Sequence, residues 1–245
     1  MPGKACKHYI HVNWIPAIHA GMTSRLKHLY NQKIYCVGTT LLIASHNQLF
    51  YNQGHPEMNT SPALLSAANS LLIIVDIQTK LAAVMHETEA QLMTANTGIL
   101  LEAAGLLSIP VLLTEQYPKG LGATDTNISQ NLPETTQVFE KTGFSCCLAE
   151  GFCDTLESSG RKQIILAGLE AHVCVLQTAL ELRHNGYQVY VVEDAICSRN
   201  AEHKFYALQR MQQQGVILTN YESILFEWLR DASHPNFRRI SGLLR

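Results

Sequence analysis

Three residues of this chain pair a reactive side chain with a position that opens onto a cleft. Cys174 follows the apolar run Ile164-Ile165-Leu166-Ala167 and a six-residue turn, at the expected start of a helix. A thiol there feels the helix dipole and free backbone N–H groups, both of which favour the thiolate; a buried structural cysteine is the other reading of the same position. Asp76 ends the apolar run Leu71-Leu72-Ile73-Ile74-Val75. A carboxylate at that tip is solvated in a cleft, held by partners, or caps a helix starting near Thr79, because unpaired burial costs too much. Lys141 follows Val138-Phe139-Glu140, a short strand pattern; alone, such a lysine is an ordinary solvated surface group. A base, a cation and a thiol at three separate strand ends form the set that hydrolysis of an amide-like C–N bond requires.

The elements that bring these residues together follow from the spacing of apolar side chains. Leu71 to Val75, Val111-Leu112-Leu113, Val138-Phe139, Ile164 to Ala167, Val189-Tyr190-Val191-Val192 and Val216-Ile217-Leu218 are apolar runs of strand length. Between them lie helical patterns: one over about 80 to 107, another carrying Val173, Leu176 and Leu180, and a third with Phe205, Leu208 and Met211. Ile224, Leu225, Trp228 and Leu229 mark a final helix. Short, continuously apolar strands alternating with helices imply a parallel sheet covered on both faces. The expected fold class is α/β: a three-layer αβα arrangement around an open, mostly parallel sheet of about six strands, Rossmann-type in outline. Ligands of such sheets bind beyond the carboxyl ends of the strands, where Asp76, Lys141 and Cys174 all fall. Dinucleotide binding is excluded, since no glycine-rich turn follows the first strand and Gly120-Leu121-Gly122 does not continue as that fingerprint requires.

Bulk composition narrows the function classes further. The chain is 47% hydrophobic and 16% charged, with a formal net charge of −2, the profile of a globular protein with a large core. Residues 1–56 hold five basic and no acidic side chains, leaving 13 basic against 20 acidic residues in the remainder. An acidic body repels polyphosphate, so nucleic acid is not an expected partner. No apolar run reaches the roughly 18 residues of a membrane span. The seven cysteines (Cys6, Cys36, Cys146, Cys147, Cys153, Cys174 and Cys197) show neither a disulfide pattern nor a Cys-x-x-Cys pair, which points to reduced thiols in the cytoplasm. Residues 1–57, rich in His, Asn, Gln and Tyr and without sustained periodicity, read as an N-terminal extension, disordered or arising from a misassigned start. Residues 58–245 read as the catalytic domain.

Four segments in order carry a family resemblance: Val75-Asp76-Ile77-Gln78, Thr114 to Gly122, Glu140-Lys141-Thr142-Gly143-Phe144-Ser145, and Ala167 to Cys174. Together they resemble the isochorismatase-like cysteine hydrolases, over roughly residues 70 to 235, and within them the isochorismatase domain-containing proteins. The resemblance implies that Asp76 takes the proton of the Cys174 thiol, while Lys141 holds the charge and geometry of the pair. It implies a non-proline cis peptide at Leu169–Glu170 and an oxyanion hole formed by the amides of Glu170 and Cys174. It implies a thioester intermediate, a small-molecule substrate and a homo-oligomer. Glu115-Gln116-Tyr117-Pro118 stands where nicotinamidases of the family carry a metal-binding Asp-x-His, so no metal and no other cofactor is expected. Gln78, Gln116, Tyr117, Phe144 and His172 adjoin the motifs as pocket walls; for the aromatic pair, core packing is the alternative, and for His172 an ordinary loop position. Two rival readings stay open: ether or ester hydrolysis depending on Asp76, with Cys174 a bystander, and a catalytically idle oligomeric scaffold.

Overall fold

The computed structural model describes residues 64–244 and, ahead of them, the backbone of Lys33–Val37 and Thr40–Ala44. The chain divides into two compact units, Met1–Asn59 and Thr60–Arg245. In the first, Lys33–Val37 and Thr40–Ala44 pair antiparallel as a two-stranded ribbon. Both strands fall within the extension expected over 1–57. The rest of that expectation lies outside the described residues.

In the second unit six strands form one parallel sheet: β1 (Ser70–Val75), β2 (Val111–Gln116), β3 (Gln137–Lys141), β4 (Gln163–Leu169), β5 (Gln188–Cys197) and β6 (Ile217–Thr219), in the spatial order β3-β2-β1-β4-β5-β6. The principal helices are α1 (Glu87–Leu106), α2 (Phe152–Ser158), α3 (Leu176–His184), α4 (Ala201–Gln213), α5 (Tyr221–Leu229) and α6 (Phe237–Gly242). The expected three-layer αβα architecture is therefore present, although α6 left no periodic signal strong enough to read from sequence.

Every residue of β1 and β4 is buried, as central parallel strands require and as their unbroken apolar runs announced. Alternate side chains of β1 serve opposite faces of the sheet. Leu72 and Ile74 join a cluster with Leu100, Leu101, Ile224 and Trp228, whereas Leu71, Ile73 and Val75 pack with Phe152, Leu156, Val175 and Leu182 on the other side. Helix starts are capped locally: Asn200 accepts from the amide of Glu202 at α4, and Asn220 from that of Ser223 at α5. The periodic stretch 80–107 divides into a single turn, Thr79–Ala82, and α1.

The register places the chemistry. Val75 is paired with Thr114 on one side and Gly168 on the other, while Gln116 is paired with Lys141 one strand further out. The direction of strand succession reverses between β1 and β4, and the crevice opened at such a point is where ligands of this architecture bind.

Candidate active site

Asp76, the first residue beyond β1, adopts a left-handed backbone (φ 49°), a conformation that aspartate tolerates better than most residues. The turn swings its carboxylate sideways into the sheet end rather than forward over the Thr79 helix. Gln78, not Asp76, occupies the cap position of that turn, so the capping reading of Asp76 is set aside. The carboxylate is fully buried and paired with Lys141, whose Nζ lies 2.6 Å from Oδ2. The Thr114 hydroxyl donates to Oδ1 at 2.7 Å. Such a pair is tolerable in the interior only because each partner is compensated.

Lys141 is correspondingly encircled. Its ammonium also donates to Gln116 Oε1 at 2.7 Å, to the Phe144 carbonyl at 3.0 Å and to the Gly143 carbonyl at 3.3 Å. The loop supplying those carbonyls is tied down from the far side by α3. Ser145 Oγ donates to Glu181 at 2.6 Å, and the Cys146 amide donates to Thr178 at 2.9 Å.

Cys174 sits in a π-helical turn, Ala171–Val175, that precedes α3. This corrects the expectation of a regular helix start. The chain reaches the turn through Gly168, whose φ of 125° suits glycine alone and whose missing Cβ would stand 2.0 Å from the Val75 carbonyl oxygen. A side chain at 168 would thus hold β4 away from β1 and widen the gap between Cys174 and Asp76.

The thiol of Cys174 is buried and lies within the electrostatic reach of Asp76 and Lys141. Burial first, and then the negative charge of Asp76, push its pKa far above the ordinary value, with Lys141 opposing. The sequence argument from the helix dipole expected a thiolate; desolvation and the neighbouring carboxylate outweigh the dipole. The thiol is accordingly held neutral near the carboxylate.

A second expectation is also corrected. Among the described residues no peptide bond is cis, so Leu169–Glu170 is trans, the default for a bond not preceding proline. The Glu170 carbonyl accepts from Val173 at 3.0 Å and Val175 at 3.2 Å, and these bonds set the path of the turn. The Glu170 side chain faces Arg199, accepting from its Nε at 3.0 Å and its backbone amide at 3.1 Å. Burial alone would raise Glu170; the bonds and charge of Arg199, aided by His172, hold it below the usual carboxylate range.

The remaining expected pocket residues divide. Gln78 is wholly buried. It accepts from the Gln116 amide at 2.8 Å and donates to the carbonyls of Gln116 and Gly122, so it braces the loop after β2 instead of facing a pocket. Gln116 steadies Lys141, its own amide group donating to the Thr142 carbonyl at 2.8 Å. Tyr117 and Phe144 are about half exposed, which excludes the core-packing alternative for both. Tyr117 and Leu148 line a cleft of about 350 Å3 that reaches Lys141. His172 is partly buried, with Nδ1 2.9 Å from Ser198 Oγ and its ring beside His203; burial, in part countered by Glu170, lowers its pKa.

Glu115, at the position that suggested the loss of a metal site, accepts from the amide and hydroxyl of Thr124 at 2.6 and 2.7 Å, so its carboxylate serves the loop. Among the described residues no group of three or more His, Cys, Asp or Glu is arranged to hold a metal ion. Sequence reasoning missed Thr114 and Arg199, and took Cys146, close to Lys141 in sequence, for buried packing, which its full burial bears out. A polar residue ending an apolar strand beside Asp76 was the available signal for Thr114.

Residues 70–223 match the family described as Isochorismatase domain. The chain belongs to the isochorismatase family. Family protein 1B of Dictyostelium discoideum is 38% identical over 175 residues, covering 70% of this chain and 84% of that protein. Isochorismatase domain-containing protein 2 of Danio rerio is 38% identical over 181 residues, covering 74% and 89%. Among solved structures, the MAR1 ribonuclease of Caenorhabditis elegans superposes with a TM-score of 0.70 at 39% identity, over 74% of this chain and 92% of that one. YcaC of Pseudomonas aeruginosa, solved with hexane-2,5-diol and covalent acrylamide, gives a TM-score of 0.68 at 25% identity, over 75% and 92%. YcaC of Escherichia coli, described as an octameric hydrolase of unknown specificity, gives 0.67 at 25% identity, over 75% and 97%. As an isochorismatase-family hydrolase, the chain shares with these structures the parallel sheet that gathers Asp76, Lys141 and Cys174 at one crevice. Among the described residues no helix is long and apolar enough to cross a membrane.

Proposed function

We propose that this protein hydrolyses a small molecule at an amide-like C–N bond, with Cys174 as nucleophile, Asp76 as base and Lys141 as the charge that holds the pair. The observation carrying this reading is the buried Asp76–Lys141 ion pair, 2.6 Å apart, with the Cys174 thiol buried within the electrostatic reach of both partners. As Cys174 Sγ bonds to the substrate carbonyl carbon, its proton passes to Asp76, and negative charge develops on the carbonyl oxygen. Amide groups at the start of the helical segment, those of Glu170 and Cys174, are the donors assigned to that oxygen. Collapse breaks the C–N bond, the departing amine takes the proton from Asp76, and a thioester remains. Water then gives a proton to Asp76 and attacks the thioester; the acid leaves and Cys174 regains its proton.

Support from outside the chain is the covalent acrylamide on P. aeruginosa YcaC, since acrylamide is an electrophile that adds to nucleophiles such as thiols. Tyr117, Phe144 and His172 are assigned to the substrate pocket, with Gln78 and Gln116 behind them as braces. Following the octameric E. coli relative, we assign the protein a homo-oligomeric state; the five free described cysteines support a reducing, cytoplasmic setting. Residues 1–57 are assigned as an extension that the hydrolase domain, 58–245, does not need.

The test is a screen of purified protein against small amides, carbamoyl compounds and hydroxamates, with an RNA substrate included because of the name carried by the C. elegans relative. Turnover of an amide-type compound that Cys174→Ala abolishes supports the reading. Turnover that Cys174→Ala retains would transfer the reaction to Asp76-dependent ether or ester hydrolysis, and cleavage of RNA alone would overturn the substrate class.

A further inference from the structure

Behind Asp76 lies a second thiol that the reaction as written does not use. Cys146 is fully buried, and its Sγ lies 3.5 Å from Thr114 Oγ1. Thr114 in turn donates to Asp76 Oδ1 at 2.7 Å. A hydroxyl has one proton to give. Asp76, ion-paired with Lys141, only accepts. The single proton of Thr114 is therefore committed to Asp76, and the bond between Cys146 and Thr114 has one possible polarity: the thiol donates. The direction of the whole chain, Cys146 S–H to Thr114 O–H to carboxylate, follows from counting protons.

We propose that Thr114 and Cys146 are positioning residues for the general base, a two-link donor chain that fixes the orientation of the Asp76 carboxylate and favours its ionised form. This inference rests on the reading of Asp76 as the base for Cys174. Cys146 locks the hydroxyl rotor of Thr114, and the rotor locks one carboxylate oxygen. The titratable groups facing the carboxylate are Lys141 from the end of β3, Cys174 from the π turn and Cys146 from the loop beneath. Cys146 itself is kept protonated: burial first, then Asp76, push it up to about 11. It therefore remains a donor throughout the neutral range. Its place is held by the Cys146 amide bonded to Thr178 and by Ser145 bonded to Glu181, so α3 anchors both the nucleophile and this chain.

The experiment follows the rate of Cys174 alkylation by iodoacetamide against pH in the full-length protein, together with melting temperature. In the wild type, reactivity is expected to fall on the acid side, and Asp76→Asn to remove that limb. Thr114→Val keeps the shape but cannot donate. It is expected to move the acid limb upward by about one pH unit, the size of a lost hydrogen bond to a charged group. Cys146→Ala should move it the same way by less, whereas Thr114→Ser and Cys146→Ser, which keep a donor, should return it to the wild-type position. If Thr114→Val does not fold, the Cys146→Ala and Cys146→Ser pair decides the matter. A purely structural role would lower melting temperature without moving the limb. An acid limb that depends on Asp76 yet stays fixed in Thr114→Val and Cys146→Ala overturns the inference. An alkylation profile indifferent to Asp76→Asn fails one level lower: it removes Asp76 as base, and the inference falls with it.

Discussion

The two ends of the sheet differ in an instructive way. At the amino ends of β1, β2 and β3 lies a cleft of about 960 Å3, lined by Ser108, Pro110, Glu134, Gln137 and Asp154 among others. At the carboxyl ends the cleft reaching Lys141 is only about 350 Å3. Size alone would select the amino ends, away from the residues of the proposed reaction. The larger cleft has mixed walls, more apolar than polar, and the buried ion pair and the nucleophile of the proposed reaction are at the other end. The smaller one reaches Lys141, a member of the desolvated charge pair, and at the same end of the sheet two backbone positions, Asp76 and Gly168, adopt uncommon conformations. Expensive arrangements of buried charge and uncommon backbone, more than volume, are what favour the carboxyl ends for the proposed reaction.

The sharpest way to break the comparison is at Cys174. Cys174→Ala is expected to lower turnover by about 10⁴-fold or more, with Asp76→Asn nearly as damaging. The double variant should be no worse than either alone, because groups acting in one step are strongly non-additive. Rates measured for all three on one amide substrate decide it, and independent, multiplying losses would show that the two residues do not share a step.

Next in size is Gly168→Ala. A Cβ 2.0 Å from the Val75 carbonyl, at a φ of 125°, cannot be accommodated without parting β4 from β1. The expected loss is about 3 kcal/mol of stability, read by denaturant unfolding, with turnover falling further than stability because the gap between Asp76 and Cys174 widens. Loss of stability with unchanged turnover would mean that the close strand approach serves packing alone.

How much of this was legible in the sequence depends on whether the cause was local. Runs such as Leu71 to Val75 announced buried parallel strands, since no other position tolerates an unbroken apolar strand. Asp76 and Lys141 could be singled out because charge at the tip of such a strand must be compensated. The partners that supply the compensation were not legible. Thr114 meets Asp76 through strand register, and Cys146 meets Thr114 through the path of a loop, neither of which sequence spacing reveals. The state of the Cys174 thiol was misjudged for a related reason: a dipole can be read from position in a helix, whereas burial and a carboxylate arriving from a strand 98 residues earlier cannot.

A smaller effect concerns alkaline pH. Burial and neighbouring charge raise Cys146 to about 11; burial raises Cys197 to about 12, against Lys204. In the unfolded chain these thiols ionise near 9. A raised thiol means that the folded state holds its proton longer, so stability is complete below about pH 9 and declines as pH climbs toward 11. Each buried thiol contributes roughly 1.4 kcal/mol per pH unit in that window. Melting temperature against pH measures it, and replacing Cys197 with alanine should flatten the slope; a flat wild-type profile up to pH 11 would show these thiols to be solvated.

The smallest expected effect tests the opposite end. Glu134→Gln, in the larger cleft, should change turnover by less than about twofold, as surface changes distant from a reaction do. A tenfold loss on the same substrate would move the working site, or part of it, to the amino ends of the strands.

The ion pair at the centre of the site joins residues 65 positions apart in sequence, and the nucleophile arrives from a third segment later still. No hairpin, helix or single crossover unit of this chain contains the set. Parallel strands pair only after long loops have closed, and the closing entropy is spent before any contact repays it. A nascent or partly assembled chain that has formed β1 and β2 therefore carries Asp76 without Lys141 or Cys174, and it has no base–nucleophile pair to misuse. On the proposed mechanism, the distribution of the three residues over the topology means that the chemistry comes into being only when the sheet is whole.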